Sequence, residues 1–499
     1  MEFEETLLPP LNKNIMCGNS LIEFDANRDL FDLENRDAIR QFSFRAAFPS
    51  VFQTGGFDAI VGNPPYIRVQ VLSEVHPATA RYVKSHYETA KKGGFDLYSV
   101  FVERGMGLLN TDGVLGFIVP NKFHKTDYGE TLRGLISDAR ALSRVIDFGS
   151  SQVFQATTYT CLLFLSRSPS KIVEYGSCGA VPSLLETLKL EKKSADEFSH
   201  RIWSFAPRSA SSVFEKIEAG TSKLLDLPAT MSRGSSTGAD AAFLIAESEN
   251  EIEEGILRTP LFASDFGRFE FRPKSNLRII FPYENTAGKY TLIEEKKLKA
   301  KFPKAYRWLC HHKKTLEARA QYKDWYAYSA PRNLIQHDRA CIAVPLLANQ
   351  GLAAAIPSTQ SRLLCPMASG GFTIEIDARC GLAPSYVLGL LNSSILFWYL
   401  RNISNVFRGG WITCTKQYYG VLPIKQLDLV SMSDKLLHDK VVNIVDNLSA
   451  NKERLYKLKT DQQRENAHRE IEYFELELDA VAAEIYGLTE AELDLVRKE

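Results

Sequence analysis

The apolar positions follow two rhythms along the chain. Short apolar runs that stop at turn residues predict strands over residues 14–22, 113–120, 142–148 and 159–165. A further run begins at Phe57, carries Ile60 and Val61 at its centre, and ends at Gly62 and two prolines, which predicts a buried strand closed by a rigid turn. Between these runs, helical spacing predicts helices over residues 34–47 and 128–140, and one opening at Asp96 with Leu97, Phe101 and Leu108 on one face. The polar, intermittently basic segment 67–92 reads as a mobile lid. Strands alternating with helices in this way predict a wound α/β sheet.

Beyond about residue 171 the alternation fades, with one more short helix expected within 203–220. Closely spaced glycines and prolines then predict a loop-rich α+β region. The tail returns to helical spacing, with Leu437, Ile444, Val445, Leu448 and Leu455 in one stretch and Ile471, Phe474, Leu478, Val481 and Ile485 in the next. Gly487 ends the second helix, and Thr489 with Glu492 forms a capping box for a last turn. A helical hairpin bracing the preceding region follows, with a coiled-coil partner site as the alternative.

Length changes the picture first: 499 residues without a long low-complexity tract suit two or three globular domains. The eight cysteines stand singly with no C-x-x-C pair, which speaks against a disulfide scaffold or zinc knuckle and for a reducing compartment. Cys310-His311-His312 lacks spaced partner ligands, so no metal site is expected. The N-terminus is acidic, and the most apolar long stretch, 385–400, is interrupted by Asn392, Ser393 and Ser394. A cytoplasmic protein with no membrane span is expected.

Lys+Arg and Asp+Glu both number 60, so net charge points to no polyanionic partner. Residues 289–339, however, hold 13 Lys/Arg against 5 Asp/Glu, with Tyr290, Tyr306, Trp308, Tyr322, Trp325, Tyr326 and Tyr328 interleaved. That pattern suits a surface tracking nucleic-acid phosphates, with Lys313, Lys314, Lys323 and Trp325 as candidate contacts. A solvated helix face is the alternative, because 292–314 has helical spacing. Glu294-x-Lys296 has no plausible upstream Pro-Asp partner, so cleavage by this chain is not expected.

The chemistry concentrates in Phe57-Asp-Ala-Ile-Val-Gly-Asn-Pro-Pro-Tyr66. In open α/β sheets ligands sit outside the carboxyl ends of the strands, where Asn63, Pro64, Pro65 and Tyr66 would emerge. A planar amino group such as N6 of adenine is a poor nucleophile until acceptors hold its N–H bonds. Asn63 offers a neutral carbonyl oxygen, Pro64 a second, fixed backbone carbonyl, and Tyr66 a flat face for stacking a base. The alternative is a stiff turn with a tyrosine packed in the core.

This decapeptide resembles the target-amine motif of the adenine-N6 DNA methyltransferases of restriction-modification systems, in the TaqI-like branch with a C-terminal target recognition domain. Residues 95–121 resemble the helix and strand that follow the motif, and 225–245 the opening of the recognition domain; PRNLI, LLNSSILFWYL and GVLPI match its later landmarks. The resemblance implies transfer of methyl from S-adenosylmethionine to a flipped adenine of duplex DNA. It assigns Asn63, Pro64, Pro65 and Tyr66 to catalysis and places Phe154 on the opposite face of the base. Asn19, Ser20 and Asn63 become cofactor-side candidates. The family's Gly-rich cofactor turn lies upstream of the strand at 14–22, where thirteen residues leave no room for a β-α-β step of about 30 residues. The expected architecture is therefore a partial Rossmann-like methyltransferase sheet over 1–224, an α+β target recognition domain over 225–430, and a helical region over 431–499. An upstream segment or separate subunit would carry the cofactor motif; the competing class is a DNA-binding companion chain inactive on its own.

Overall fold

The computed structural model describes residues 14–23, 40–149, 153–154, 158–178, 188–203, 205, 208–247, 251–273, 276–406 and 410–498. The chain divides into two units, Met1–Phe205 and Ala206–Glu499.

Six strands organise the first unit: β1 (Phe57–Gly62), β2 (Leu109–Pro120), β3 (Leu142–Asp147), β4 (Thr160–Ser166), β5 (Ile172–Ser177) and β6 (Glu191–Ser194). Their order is β1-β2-β4-β3-β5-β6. β1 runs parallel to β2, and β3 to β5. β4 runs antiparallel to both of its neighbours, so the sheet is mixed. On β2, alternation buries Leu115, Phe117 and Val119, which join Val145, Leu163 and Leu165 in one core. Helix Leu97–Leu108 lies close over this face: a Cβ at Gly105 would come within 2.5 Å of Leu115 Cδ1. The helices predicted around 97–108 and 128–140 and the strands near 113–120, 142–148 and 159–165 are present with shifted ends.

Two expectations are corrected, the buried setting of β1 and the strand over 14–22. β1 is an edge strand, half exposed, with Val61 87% accessible. None of its residues is fully buried, and β2 is its sole strand neighbour among the described residues. Residues 14–22 form no strand; Asn19 makes a single bridge to Gln41, and Ile15 is 70% exposed. Leu21 and Ile22 are instead buried beneath Tyr82, Val83 and Tyr87, and the Tyr87 hydroxyl donates to the Leu21 carbonyl at 2.7 Å. Segment 67–92 is built as helices Val69–Val75, Pro77–His86 and Glu88–Lys91, with Val69, Leu72, Ala80 and Val83 in the same small core. Of the helix expected over 34–47, residues 34–39 lie outside the described residues. The described part begins at Phe44–Ala47, whose N-cap Ser43 Oγ accepts from Ala46 N at 3.3 Å, and continues as Pro49–Gln53.

The second unit contains two four-stranded sheets. One joins Ala354–Ala355, Ile342–Val344, Phe372–Ile376 and Ala229–Arg233; the other joins Leu364–Pro366, Leu257–Leu261, Leu277–Ile280 and Leu244–Ala246. The tail forms helices Met432–Leu455, Asp461–Tyr486 and Glu490–Lys498. They share one core with Val213, Met231, Ile374 and helix Pro384–Asn392, so segments 206–224 and 431–498 pack with the region between them. At Gly389 a Cβ would lie 2.6 Å from Val441 Cγ1, which sets how closely the two helices approach. Asp479 fixes the start of helix Ser394–Ile403 by accepting from Ser394 N at 2.8 Å and Ser394 Oγ at 2.7 Å. Gly487 takes a left-handed backbone at the helix end, and Thr489 and Glu492 cap each other as their spacing predicts. Among the described residues no helix is long and apolar enough to cross a membrane.

Candidate active site and nucleic-acid interface

The turn after β1 is positioned from below by β2. Pro64 is buried, whereas Asn63 and Pro65 are exposed. The Tyr66 hydroxyl donates to the Ile118 carbonyl of β2 at 3.0 Å, which ties the end of the turn to the neighbouring strand. Burial, reinforced by nearby Cys161, pushes the Tyr66 pKa up to about 12, so the phenol remains a donor. The Asn63 side-chain amide has no hydrogen bond to the chain among the described residues.

Phe154 meets Tyr66 with ring centroids 6.5 Å apart at 65°, while Tyr98 packs edge-on from another side at 6.3 Å. The structure thus brings Tyr66 and Phe154 together. Their present arrangement is edge-to-face, whereas a base stacked between parallel rings needs about 7 Å, two contacts of about 3.5 Å. Phe154, 37% exposed, has to turn to admit one.

A polar clamp that the sequence reading missed lies at the ends of β2 and β3. Asp147 at the end of β3 accepts from Asn121 Nδ2 at 2.9 Å and from Gly149 N at 2.8 Å. It joins the end of β2 to the start of the segment bearing Phe154. Desolvation raises the Asp147 pKa against the opposing pull of these donors. The available signal was one carboxylate inside the apolar run Val145-Ile-Asp-Phe148. His124 is buried beside Cys161 at 3.8 Å and stacks on Trp203; burial, then Lys125 and Arg133, push its pKa down to about 3.

Asn19 and Ser20 lie half-buried in a tight turn. Asn19 Oδ1 accepts from Leu21 N at 3.2 Å, and its own N–H donates to the Arg40 carbonyl at 2.6 Å. No contact joins either residue to Asn63 among the described residues.

In the second unit the basic, aromatic stretch forms the hairpin Tyr283–Thr286/Lys289–Leu292 and helices Glu295–Lys301, Pro303–His311 and Lys313–Glu317. A cavity of about 910 Å³ opens beside them, lined by residues including Lys289, Tyr290, Lys323, Trp325, Asn333 and Gln336. Its tyrosines are braced from within: Tyr326 donates to the Ile293 carbonyl at 2.9 Å and Tyr328 to the Ile280 carbonyl at 2.6 Å. Tyr290 donates to Asp338 at 2.7 Å, and Arg258 reaches the same carboxylate at 3.2 Å while lying 3.7 Å over Phe281.

The candidate cations separate into different settings. Lys313 Nζ sits 4.9 Å above Trp325 and 3.7 Å from Glu317. Lys314 and Lys323 are exposed, and only Lys323 lines the cavity. Arg319, also counted in the basic excess, is structural: it donates to the carbonyls of Leu316, Thr237, Ala327 and Trp325.

Residues 5–154 match the Eco57I restriction-modification methylase family. The chain resembles restriction-modification methyltransferases. It is 25% identical over 471 residues to the Type II restriction enzyme and methyltransferase RM.Eco57I of Escherichia coli, covering 87% of this chain and 46% of that protein. It is 21% identical over 479 residues to the Type II methyltransferase M.HincII of Haemophilus influenzae, covering 90% of each. Among solved structures, the Type IIL restriction-modification enzyme MmeI in complex with DNA aligns with a TM-score of 0.58 and 13% identity, over 88% of this chain and 56% of that one. The chain therefore spans about half the length of RM.Eco57I and of MmeI. The MmeI likeness concerns the fold.

Proposed function

We propose that this chain belongs to an adenine-N6 DNA methyltransferase of a restriction-modification or phage-defence system, of the TaqI-like kind. In this reading the mixed sheet is part of a Rossmann-like catalytic domain, and residues 225–430 form the target recognition domain. The observation that carries it is the turn after β1: an exposed Asn63 amide without a partner in the described chain, beside Tyr66 anchored on Ile118 and faced by Phe154. The resemblance to restriction-modification methylases supports it.

Asn63 Oδ1 and the Pro64 carbonyl would accept the two N–H bonds of the flipped adenine, leaving the nitrogen lone pair to attack the methyl carbon. The extra proton on that nitrogen would pass to solvent after transfer, so no charged base is required of the chain. Tyr66 and a turned Phe154 would hold the base flat. S-adenosylmethionine would supply the electrophilic methyl group.

The described residues do not complete a holder for that cofactor. Asn19 is engaged in its own turn, Ser20 shares that turn, and among the described residues β1 has no strand neighbour on its outer side. This supports a second reading, in which the chain recognises DNA but transfers methyl only when an upstream segment or separate subunit supplies the cofactor site. An exposed, unpaired edge such as β1 is suited to strand addition.

The test is incubation of the chain with duplex DNA and S-adenosylmethionine, followed by nucleoside mass spectrometry. N6-methyladenine that disappears in Asn63→Ala supports the first reading. N4-methylcytosine instead would overturn the adenine assignment. Duplex binding without methylation, together with no calorimetric binding of S-adenosylmethionine in the low micromolar range, supports the second.

A further inference from the structure

We infer that Asn333 and Gln336 read base edges of the duplex at the mouth of the second unit's cavity; the inference rests on the methyltransferase reading for its choice of duplex DNA as ligand. Both residues line the cavity, and neither side-chain amide has a hydrogen bond to the chain among the described residues. Asn333 precedes the one-turn helix Leu334–His337 and Gln336 lies within it, so one short segment brings both amides to the cavity.

The rest of that turn is fixed. Leu334 and His337 are buried, and His337 Nδ1 lies 2.8 Å from Thr373 Oγ1. The next residue, Asp338, holds Arg258 and Tyr290. On the other side, the Arg332 N–H donates to Ser235 Oγ at 3.0 Å. Asn333 itself has a left-handed backbone, φ 52° and ψ 34°, a conformation that asparagine tolerates better than most residues with a Cβ. Two neutral amides are thus presented by a rigid backbone to open space.

The chemistry of those groups selects the ligand atoms. Phosphate oxygens are acceptors only, so a carboxamide brought to phosphate leaves its own carbonyl unanswered. A base edge offers donor and acceptor side by side, and the Asn or Gln amide matches adenine N6 and N7 in the major groove. The exposed Lys289 and Lys323, which line the same cavity and have no ion pair among the described residues, are placed for the flanking phosphates. The inferred contact is therefore an A·T pair of the recognition site, read through the major groove between two phosphate anchors.

The experiment is selection from a random-sequence duplex library by the full chain, which requires neither cofactor nor turnover. Wild type is compared with Asn333→Gly, which keeps the left-handed backbone accessible, with Gln336→Ala and with Gln336→Glu. The wild-type motif should contain an A·T pair at which Asn333→Gly or Gln336→Ala loses preference by about tenfold or more, other positions being retained. Gln336→Glu should move the preference there toward cytosine, whose N4 amino group donates to a carboxylate; a merely structural residue would not produce this change. A wild type that enriches no motif, or a motif unchanged in all three variants, overturns the inference. A selected motif that the variants alter, without methylation by the same protein, supports the inference and favours the second reading of function. Methylation within a motif that the variants do not alter removes the base-edge assignment alone.

Discussion

The turn after β1 and the cavity of the second unit are both built on tyrosines whose hydroxyls are bonded to backbone carbonyls, Tyr66 to Ile118, Tyr326 to Ile293 and Tyr328 to Ile280. They leave different groups free. The first presents one amide, Asn63, beside an aromatic pair; the second presents cations and amides around a wide opening. One arrangement suits a single small group held in one position. The other suits an extended, charged ligand that touches many residues weakly. Loss of one side chain should therefore be severe at the first site for turnover and mild at the second for affinity.

Asn63→Ala is the strongest test of that contrast. If the amide acts on the reacting nitrogen, methylation should fall by about 10²-fold or more, comparable with removing a preorganised polar group from other active sites. DNA affinity should stay within a few-fold, because phosphate contacts elsewhere supply most of it. Single-turnover methylation and fluorescence anisotropy on the same duplex measure the two effects. Equal loss of both would mean that Asn63 maintains the turn and the contrast is false.

The same contrast explains what could be read from the sequence. Asn63-Pro64-Pro65-Tyr66 is contiguous, and its chemistry follows from backbone restrictions that neighbouring residues impose on each other. The cavity is assembled from a hairpin, a loop and a one-turn helix, so Asn333, although part of the PRNLI landmark, and Gln336 showed no common role until the chain had folded. Asn14 to Ile22 illustrates the failure of local pattern: its apolar residues promised a strand, but Leu21 and Ile22 found a helical partner at Tyr82–Tyr87 instead. The edge position of β1 was likewise illegible, since apolar periodicity reports burial but not which neighbour provides it. Arg319 shows the limit of counting charge, because its guanidinium serves four carbonyls of its own unit.

Acidification should weaken both units before either site is chemically altered. Burial pushes His124 in the first unit down to about 3 and His337 in the second down to about 4, against an ordinary value of 6.5. Each histidine is neutral when folded and takes up a proton on unfolding below pH 6.5. The stability linked to each is complete above that pH and is lost as pH falls toward the folded pKa. Between pH 6.5 and 5 the loss should be about 2 kcal/mol for each histidine, at about 1.4 kcal/mol per pH unit. Calorimetric unfolding across this range should show the decline, and His124→Phe should flatten it for the first unit only. An unchanged slope would mean that His124 is solvated in the folded chain.

Charge removal probes the second region. With Lys313, Lys314 and Lys323 all replaced by alanine, binding to every duplex should weaken alike, and the methylated sequence should not change. Three phosphate contacts would lower the salt slope by up to about three, at roughly 0.9 per contact. Lys313 is already held between Trp325 and Glu317, so a change nearer two is expected, with Lys314 and Lys323 responsible. Titrations at several salt concentrations provide the slope. No change in affinity or slope would make these lysines a solvated face, and an altered target sequence would mean that these lysines themselves read bases.

The smallest effect separates the two kinds of tyrosine brace. Tyr66→Phe and Tyr326→Phe each remove one hydroxyl that donates to a backbone carbonyl, at 3.0 and 2.9 Å, and keep the ring. Each should cost about 1 kcal/mol of stability, the usual net value of such a bond, with Tyr326 at the upper end because its hydroxyl and acceptor are buried. At Tyr66 the lost bond also frees the end of the turn that presents Asn63, so methylation should slow several-fold in the complete enzyme while the melting temperature falls little. At Tyr326 the ring lies beneath the cavity, and turnover at saturating DNA should be unchanged. Paired measurements of thermal midpoint and single-turnover rate decide the matter. If both variants lose stability and neither loses rate, the Ile118 bond merely packs Tyr66, and the fixed placement attributed to the first site has to come from the prolines alone.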